Sequence, residues 1–381
     1  MSVIVPAWNE EVGLLPTVKT ILGSTYRNLE IVVINDGSTD SSDMQITQFL
    51  SEYECSKKID SNAIDIIYKY KKNEGKGKAL NTGIKLSNGS IIISIDADCA
   101  LLPTTIENFV RHFEDKNVMA AVGNVKIGNR EHLLGTLQHL EFLFSFYFKK
   151  ADSLFQTIYI IGGAAGAFRR EVFDEIGYYN HKNITEDIDL SVRIQEAGMR
   201  IVYASDAIVY TEGASTLSGL MQQRLRWKRG RFQTFFEYKH LFFSSKPWHN
   251  KLLTWIILPL AVFGDIQLFF EIIFILFLYA YSFLTHDFSS FISGILVVSS
   301  IFFVQIFDDR SQNKLGLYLL APIGWLLFYL TTIVEYRALL KSIQGILTKQ
   351  TLTWQKWKRE GLTDTSMEAL LVQPITKRTS R

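Results

Sequence analysis

Ile91-Ile-Ile-Ser-Ile-Asp-Ala-Asp-Cys-Ala100 is the stretch whose reading decides the fold. The β-branched run Ile91 to Ile95 reads as a buried strand, because a parallel strand covered on both faces needs no polar alternation. It stops at two carboxylates, Asp96 and Asp98, at the carboxyl end of the strand, which is where open α/β sheets bind their ligands. Both can face a divalent cation that carries a diphosphate. An Asp-x-Asp triplet is also an ordinary turn former, so the surrounding motifs must decide.

The chain has 381 residues, room for one large domain and an appendage. Its 40 Lys and Arg against 38 Asp and Glu give no polyanion-binding signal, so nucleic acid is not an expected partner. Cys55 and Cys99 are the two cysteines, which argues against a disulfide framework and for a reducing compartment. Apolar residues concentrate between about Leu252 and Leu340, after a first two-thirds of mixed polarity. That pattern predicts a soluble domain followed by membrane. The first strand is expected to begin almost at Met1, with no signal peptide before it.

Ser2 to Pro6 reads as a strand, Ala7-Trp-Asn-Glu-Glu11 as a polar loop, and Val12 to Gly23 as a helix. The second strand, Leu29 to Ile34, runs into Asn35-Asp-Gly-Ser-Thr-Asp40, a tight turn whose Thr39 and Asp40 can cap the next helix. Asp36 is the candidate for a uracil or ribose edge, with a plain turn role as the alternative. Ser51 to Asn62 reads as a solvated connection and Ala63 to Tyr70 as the third strand. Asn73-Glu-Gly-Lys-Gly-Lys-Ala-Leu-Asn81 is a glycine-spaced basic loop opening a helix, where backbone N–H groups and a lysine meet phosphate. It lacks the spacing of a P-loop. Four βα-like units thus carry polar groups at the carboxyl ends of three of their strands.

Pro6 with Asn9 and Glu10, Asp36, Gly75-Lys76 ahead of Ala79-Leu80-Asn81, and Asp96-Ala-Asp98 resemble the nucleotide half of family-2 glycosyltransferases, which have the α/β GT-A fold. The second half extends the resemblance. Ile160 to Arg170 is rich in glycine and ends Phe-Arg-Arg, as does the segment lining the acceptor side of polysaccharide synthases, which implies Gly163 and Phe168 there. Thr185-Glu-Asp opens a helix with its acidic residues in the first turn. It resembles the motif of inverting synthases, which implies Asp187 as the base for the acceptor hydroxyl and Glu186 beside it. Gln223, Arg226 and Trp227 match the Gln-x-x-Arg-Trp motif of processive members. There the Gln and Arg reach the diphosphate and the indole stacks on the terminal acceptor sugar. The resemblance further implies Mg²⁺ or Mn²⁺ on Asp98 and Asp96, a Lewis acid for the leaving diphosphate, and no covalent intermediate. Arg224, Lys228, Arg229 and Arg231 read instead as a basic face for anionic headgroups.

The expected organisation is a GT-A domain at 1–235, a juxtamembrane linker at 236–251, transmembrane helices at 252–340 and a cytoplasmic tail at 341–381. Phe291 to Phe307 and Leu315 to Val334 approach the roughly 20 residues of a span. Leu252 to Leu284 is too long for a simple span, and Pro259, Gly264, Asp265 and Glu271 interrupt it. It reads as an interfacial helix followed by a span at about Ile266 to Phe283, or as a polymer-facing wall. The basic flank Arg226 to Lys251 and the tail residues Lys341, Lys349, Lys356, Lys358 and Arg359 predict a cytoplasmic catalytic domain and an even number of crossings, with Trp354 and Trp357 as interfacial anchors. Family members usually carry helices before the first strand, whereas Met1 abuts it here. This implies a shortened sequence, or a channel with fewer helices.

The resemblance is strongest to bacterial poly-β-1,6-N-acetylglucosamine synthases and their chitin, hyaluronan and cellulose synthase relatives. It implies a multi-pass plasma (inner) membrane enzyme with inverting, processive β-glycosyltransferase activity, taking a UDP-sugar donor and a polysaccharide acceptor in the lipid bilayer, with accessory export subunits. N-acetylglucosamine is the favoured sugar; transfer of a single sugar to a lipid carrier and a UDP-glucose synthase are the alternatives.

Overall fold

In the computed structural model, residues 1–57, 63–309, 315–348 and 359–362 are described. Among them, eight strands form one mixed sheet: β1 (Ser2–Ala7), β2 (Glu30–Asp36), β3 (Asp65–Lys71), β4 (Ile91–Ser94), β5 (Cys99–Leu101), β6 (Val118–Ile127), β7 (Gly166–Arg169) and β8 (Arg200–Thr211), in the order β3-β2-β1-β4-β7-β6-β8-β5. Helices α1 (Leu14–Leu22), α2 (Ser42–Lys57), α3 (Lys76–Leu86), α4 (Thr105–His112), α5 (Leu133–Phe155), α6 (Arg170–Ile176), α7 (Glu186–Glu196) and α8 (Leu217–Glu237) complete this part. The stretch 51–57, expected as a connection, is the end of α2; Ile46, Phe49 and Leu50 pack that helix on the core, while Ser51, Glu52, Glu54 and Cys55 are exposed.

Strand periodicity explains the two core layers. Val3, Val5, Ile31, Val33 and Ile93 pack on one face with Leu14, Val18 and Ile46, while Ile4, Val32, Ile34 and Ile92 pack on the other with Leu80, Ile84 and Leu190. Each such side chain contributes about 1.5–3 kcal/mol when fully buried. Because β1, β2, β3 and β4 run parallel, the loops after β1, β2 and β4 open on one rim. β4 departs from the all-parallel expectation: it is parallel to β1 but antiparallel to β7, with Ser94 opposite Gly166. That reversal lays the residues just before β7 beside those just after β4, so the glycine-rich segment faces Asp96 and Asp98.

The apolar part begins with a π turn, Leu253–Ile257, continued by α9 (Leu258–Thr285), and then α10 (Ser289–Asp308), α11 (Leu315–Leu320) and α12 (Gly324–Leu347). Leu253–Thr285 is one continuous helix of 33 residues, so the expected break at 259–265 is absent. Pro259 falls in the first turn after the wider π turn, where its missing N–H is tolerated. Asp265 is paired with Lys228 and Arg231, and Glu271 accepts a hydrogen bond from Thr332. Leu315 to Val334 is interrupted by the 3₁₀ turn Ala321–Ile323, and Leu315–Leu326 is bent by 55° from Phe328–Leu347. Among the described residues, two helices are long and apolar enough to cross a membrane, or three if the bent pair counts as one span. Trp354 and Trp357, with Lys349, Lys356 and Lys358, lie outside the described residues.

Candidate active site

The Asp96–Asp98 turn is fixed from beneath by α1. Thr17 donates its hydroxyl to the Cys99 carbonyl at 2.7 Å and accepts from the Cys99 amide at 3.2 Å. Gly13 lies so close that a Cβ there would stand 2.5 Å from the Ala97 carbonyl oxygen. Across the rim, Asp36 accepts from Lys71 Nζ at 2.6 Å and from the Gly75 amide at 2.7 Å, stitching the end of β2 to the loop that opens α3. Gly75, at φ +96°, provides the left-handed backbone that turns this loop into the helix.

Lys76, first in α3, reaches 2.5 Å from Asp96 Oδ1 and 3.5 Å from Glu186 Oε1. Burial pulls its ammonium down, but Asp96, Glu186 and Asp187 outweigh that and hold it above the ordinary lysine range. Burial pushes the Glu186 carboxyl up against the pull of Lys76, and neighbouring Asp187 adds to the rise. Glu186 and Asp187 occupy the first turn of α7, where the helix dipole favours anions. The Gly163 amide donates to Asp187 Oδ2 at 3.0 Å. A Cβ on Gly163 would meet Lys76 Nζ at 2.7 Å, so a side chain here would displace the lysine head.

Helix α8 docks on α7 through Gly230, whose absent side chain admits Thr185. From α8, Gln223, Arg226 and Trp227 reach a cavity of about 390 Å³ lined also by Asp96, Asp98, Gly163, Glu186 and Asp187. A second cavity of about 310 Å³ is lined by Pro6, Trp8, Glu10, Asp36, Asn73 and Ala97. Lys76, Asp96, Asp98, Arg226 and Arg359 line both, so the two spaces meet at these side chains. Burial lowers the Arg226 guanidinium against the attraction of Glu186, Asp187 and Asp96. Gln223 presents a buried side-chain carbonyl oxygen without a hydrogen-bond partner among the described residues, a demand that a ligand hydroxyl would meet.

The structure gathers Pro6, Glu10, Asp36, Lys76, Asp96, Asp98, Gly163, Glu186, Asp187, Gln223, Arg226 and Trp227 around these two cavities. Asn9 and Phe168 are not among their lining residues. Asn9, at φ +53°, accepts from the Thr39 amide at 2.7 Å and ties two rim loops together. Phe168 is buried in the core against Phe173 and Tyr179, and Arg169 and Arg170 hydrogen-bond backbone carbonyls. The headgroup reading of the α8 cations is corrected. Arg224 pairs with Glu141 and Glu335, Lys228 with Asp265 and Glu335, Arg231 with Asp265, and Arg229 donates to the Ser342 carbonyl. Facing lipid headgroups would leave these interior carboxylates without counter-charges.

Three contributors have no local signal in the sequence. Trp8 lines the second cavity. Arg359, expected only as part of a basic tail, places Nη2 2.6 Å from Asp98 Oδ2. Glu212 anchors that segment by accepting from the amides of Glu360 and Gly361 at 2.9 and 3.2 Å. Asp98, Glu10 and Glu212 together outweigh burial and raise the Arg359 guanidinium.

Asp96 and Asp98 are hard oxygen donors, each already matched to a cation from the chain, Lys76 and Arg359. Among the described residues no three His, Cys, Asp or Glu side chains converge as a metal cage. Two carboxylates suit Mg²⁺ or Mn²⁺, which take their remaining ligands from water and a bound diphosphate. The residues fit such an ion.

The sequence matches the profile of Glycosyl transferase family 2 over residues 2–177 and that of Glycosyl transferase family group 2 over residues 91–286. It is 29% identical over 232 residues to poly-beta-1,6-N-acetyl-D-glucosamine synthase of Staphylococcus aureus (strain COL), and 30% identical over 232 residues to that of Staphylococcus epidermidis. Each alignment covers 60% of this chain and 54% of the relative, so the chain spans about half the length of the curated relatives it matches. Among solved structures, the mannosyltransferase PcManGT from Pyrobaculum calidifontis, in complex with GDP-Man and Mn2+, shares the fold. The TM-score is 0.60 at 19% identity, over 92% of this chain and 87% of that one.

Proposed function

Because the chain belongs to glycosyl transferase family 2, we propose that it is a membrane-bound, inverting, processive β-glycosyltransferase that extends a polysaccharide from a UDP-sugar, with N-acetylglucosamine as the sugar. The observation that carries this reading is the meeting of two cavities at Lys76, Asp96, Asp98 and Arg226, with Asp187 and Trp227 on the wall of one of them. The smaller cavity suits the nucleotide, and the larger suits the acceptor.

In this reading the acceptor's terminal sugar stacks on Trp227 and offers a hydroxyl to Gln223. Asp187, held by the Gly163 amide, takes the proton from the attacking hydroxyl as it adds to the anomeric carbon from the face opposite the diphosphate. Lys76 and Arg226 receive the negative charge that develops on the leaving group. Asp98 and Asp96 would hold Mg²⁺ or Mn²⁺, which supplies Lewis-acid neutralisation of that diphosphate when bound. Glu186, kept close to Lys76, orients it toward the same charge. The apolar helices that follow support a membrane location, in this reading the inner membrane, with the catalytic domain on the cytoplasmic side as its basic flank predicts. The resemblance to poly-β-1,6-N-acetylglucosamine synthases supports the polymer, and with it export partners.

Asp187→Asn tests the assignment. The amide keeps the size of the side chain but cannot take a proton, so transfer should fall at least about 100-fold while UDP affinity stays near wild type. Normal turnover in this variant would remove Asp187 as the base.

A further inference from the structure

Helix α8 carries two stripes at helical spacing. Gln223, Arg226 and Trp227 line the larger cavity and Gly230 touches Thr185; Arg224, Lys228 and Arg231, on the wall of the same cavity, meet carboxylates from α5, α9 and α12. The stripes touch where the Arg224 guanidinium carbon lies 4.6 Å from the centroid of the Trp227 indole. Arg224 is gripped twice. Its Nη2 donates to Glu141 Oε2 at 2.6 Å, and its Nε faces Glu335 Oε1 at 3.3 Å. Glu335 Oε2 also meets Lys228 Nζ at 2.9 Å.

We infer that Glu141 and Glu335 are positioning residues for the sugar acceptor, acting through Arg224, which they hold over one face of the Trp227 indole so that the other face receives the terminal sugar. The inference rests on the acceptor role proposed for Trp227. An indole rocks about its two side-chain torsions, and a sugar stacks productively on only one attitude of the ring. A cation over the ring quadrupole selects that attitude, most effectively when the site is shielded from water. Two carboxylates fixing a planar guanidinium remove the freedom it would otherwise have to leave the ring. Because Glu335 belongs to α12, the acceptor platform is registered against a helix of the apolar bundle as well as against the catalytic domain.

If the ion pairs only tie helices together, the cost of Arg224→Lys is the same with or without the indole, because lysine cannot make both contacts in either case. If the planar stack matters, that cost vanishes when the indole is removed. The full chain in detergent, with UDP-N-acetylglucosamine as donor and a β-1,6-linked N-acetylglucosamine pentasaccharide as probe, separates the two. Arg224→Lys and Glu335→Gln should each weaken pentasaccharide binding by about tenfold in calorimetry and raise its KM alike, with UDP affinity and melting temperature near wild type. In a Trp227→Leu background neither substitution should add to the loss. Wild-type pentasaccharide binding in Arg224→Lys, or a loss of equal size in the Trp227→Leu background, overturns the positioning role while leaving polymer extension intact. Wild-type protein that binds UDP but neither binds nor extends the pentasaccharide would refute the polymerase reading, and this inference with it.

Discussion

Replacing Gly230 with alanine puts a methyl group where the structure has the γ atoms of Thr185. The added Cβ would lie 2.1 Å from Thr185 Oγ1 and 2.4 Å from its Cγ2, and Thr185 is buried. Ordinary contact demands that α7 and α8 separate by roughly 1 Å, and a displacement of that size between reacting groups costs about 10²-fold in rate. Overpacking costs about 1–3 kcal/mol of stability, while alanine regains about 1 kcal/mol over glycine in helix propensity, so the protein should still fold. Thr185 stands directly before Glu186 and Asp187, and Gly230 lies one turn from Arg226 and Trp227, so the displacement falls between the base and the acceptor platform. The assay is the rate of UDP release during polymerisation, beside UDP affinity and melting temperature. Gly230→Ala should lose about two orders of magnitude in kcat with UDP affinity near wild type. Adding Thr185→Ser, whose single γ atom can turn away, should restore part of the loss. Undiminished kcat in Gly230→Ala would refute the claim that this contact sets the distance between the two halves of the site.

Gly163→Ala places a methyl group 2.7 Å from Lys76 Nζ, so the ammonium shifts against Asp96; donor KM in steady-state assays should rise more than kcat falls. Arg359→Ala frees Asp98 of its counter-cation, and titration with Mn²⁺ should show tighter ion binding by several-fold, the sign reversing if Arg359 instead supports the site. Lys149, which donates to the Ile160 carbonyl at 3.0 Å, is pushed down to about 8 by burial, with Asp152 opposing. The folded state therefore binds fewer protons than the unfolded chain between about pH 8 and the ordinary lysine value, so this group costs stability in full below pH 8 and progressively less above it. The difference in melting temperature between wild type and Lys149→Met should favour the variant at pH 7 and shrink by pH 10.

The fold was legible where strands are short β-branched runs and their ends are polar. Ser2 to Pro6, Leu29 to Ile34 and Ile91 to Ile95 fall on β1, β2 and β4, and a mixed-sheet GT-A-like architecture follows them. The antiparallel β7 was not legible, because Gly166 to Arg169 is four residues whose partner is chosen by the sheet and not by local pattern. Asn9 shows the limit of a motif. Its neighbour Glu10 lines the cavity, yet Asn9 spends its side chain on the Thr39 amide, a contact set by a left-handed backbone that sequence does not announce. Phe168 shows another, since strand alternation turned that ring into the core while leaving Gly163, three residues ahead of β7, at the cavity. Arg359 meets Asp98 across 261 positions, and the carboxylates that neutralise α8 come from α5, α9 and α12. Charge partners brought together only by tertiary packing leave no spacing to read.

The central claim, that this site builds a polymer from a UDP-sugar, is tested most directly by product length. Protein purified in detergent with Mg²⁺ is offered UDP-N-acetylglucosamine and UDP-glucose separately, and UDP release and product size are followed for each. The account predicts long chains from UDP-N-acetylglucosamine, with one UDP released per sugar added. UDP release with a single added sugar, or with no sugar added, would contradict it.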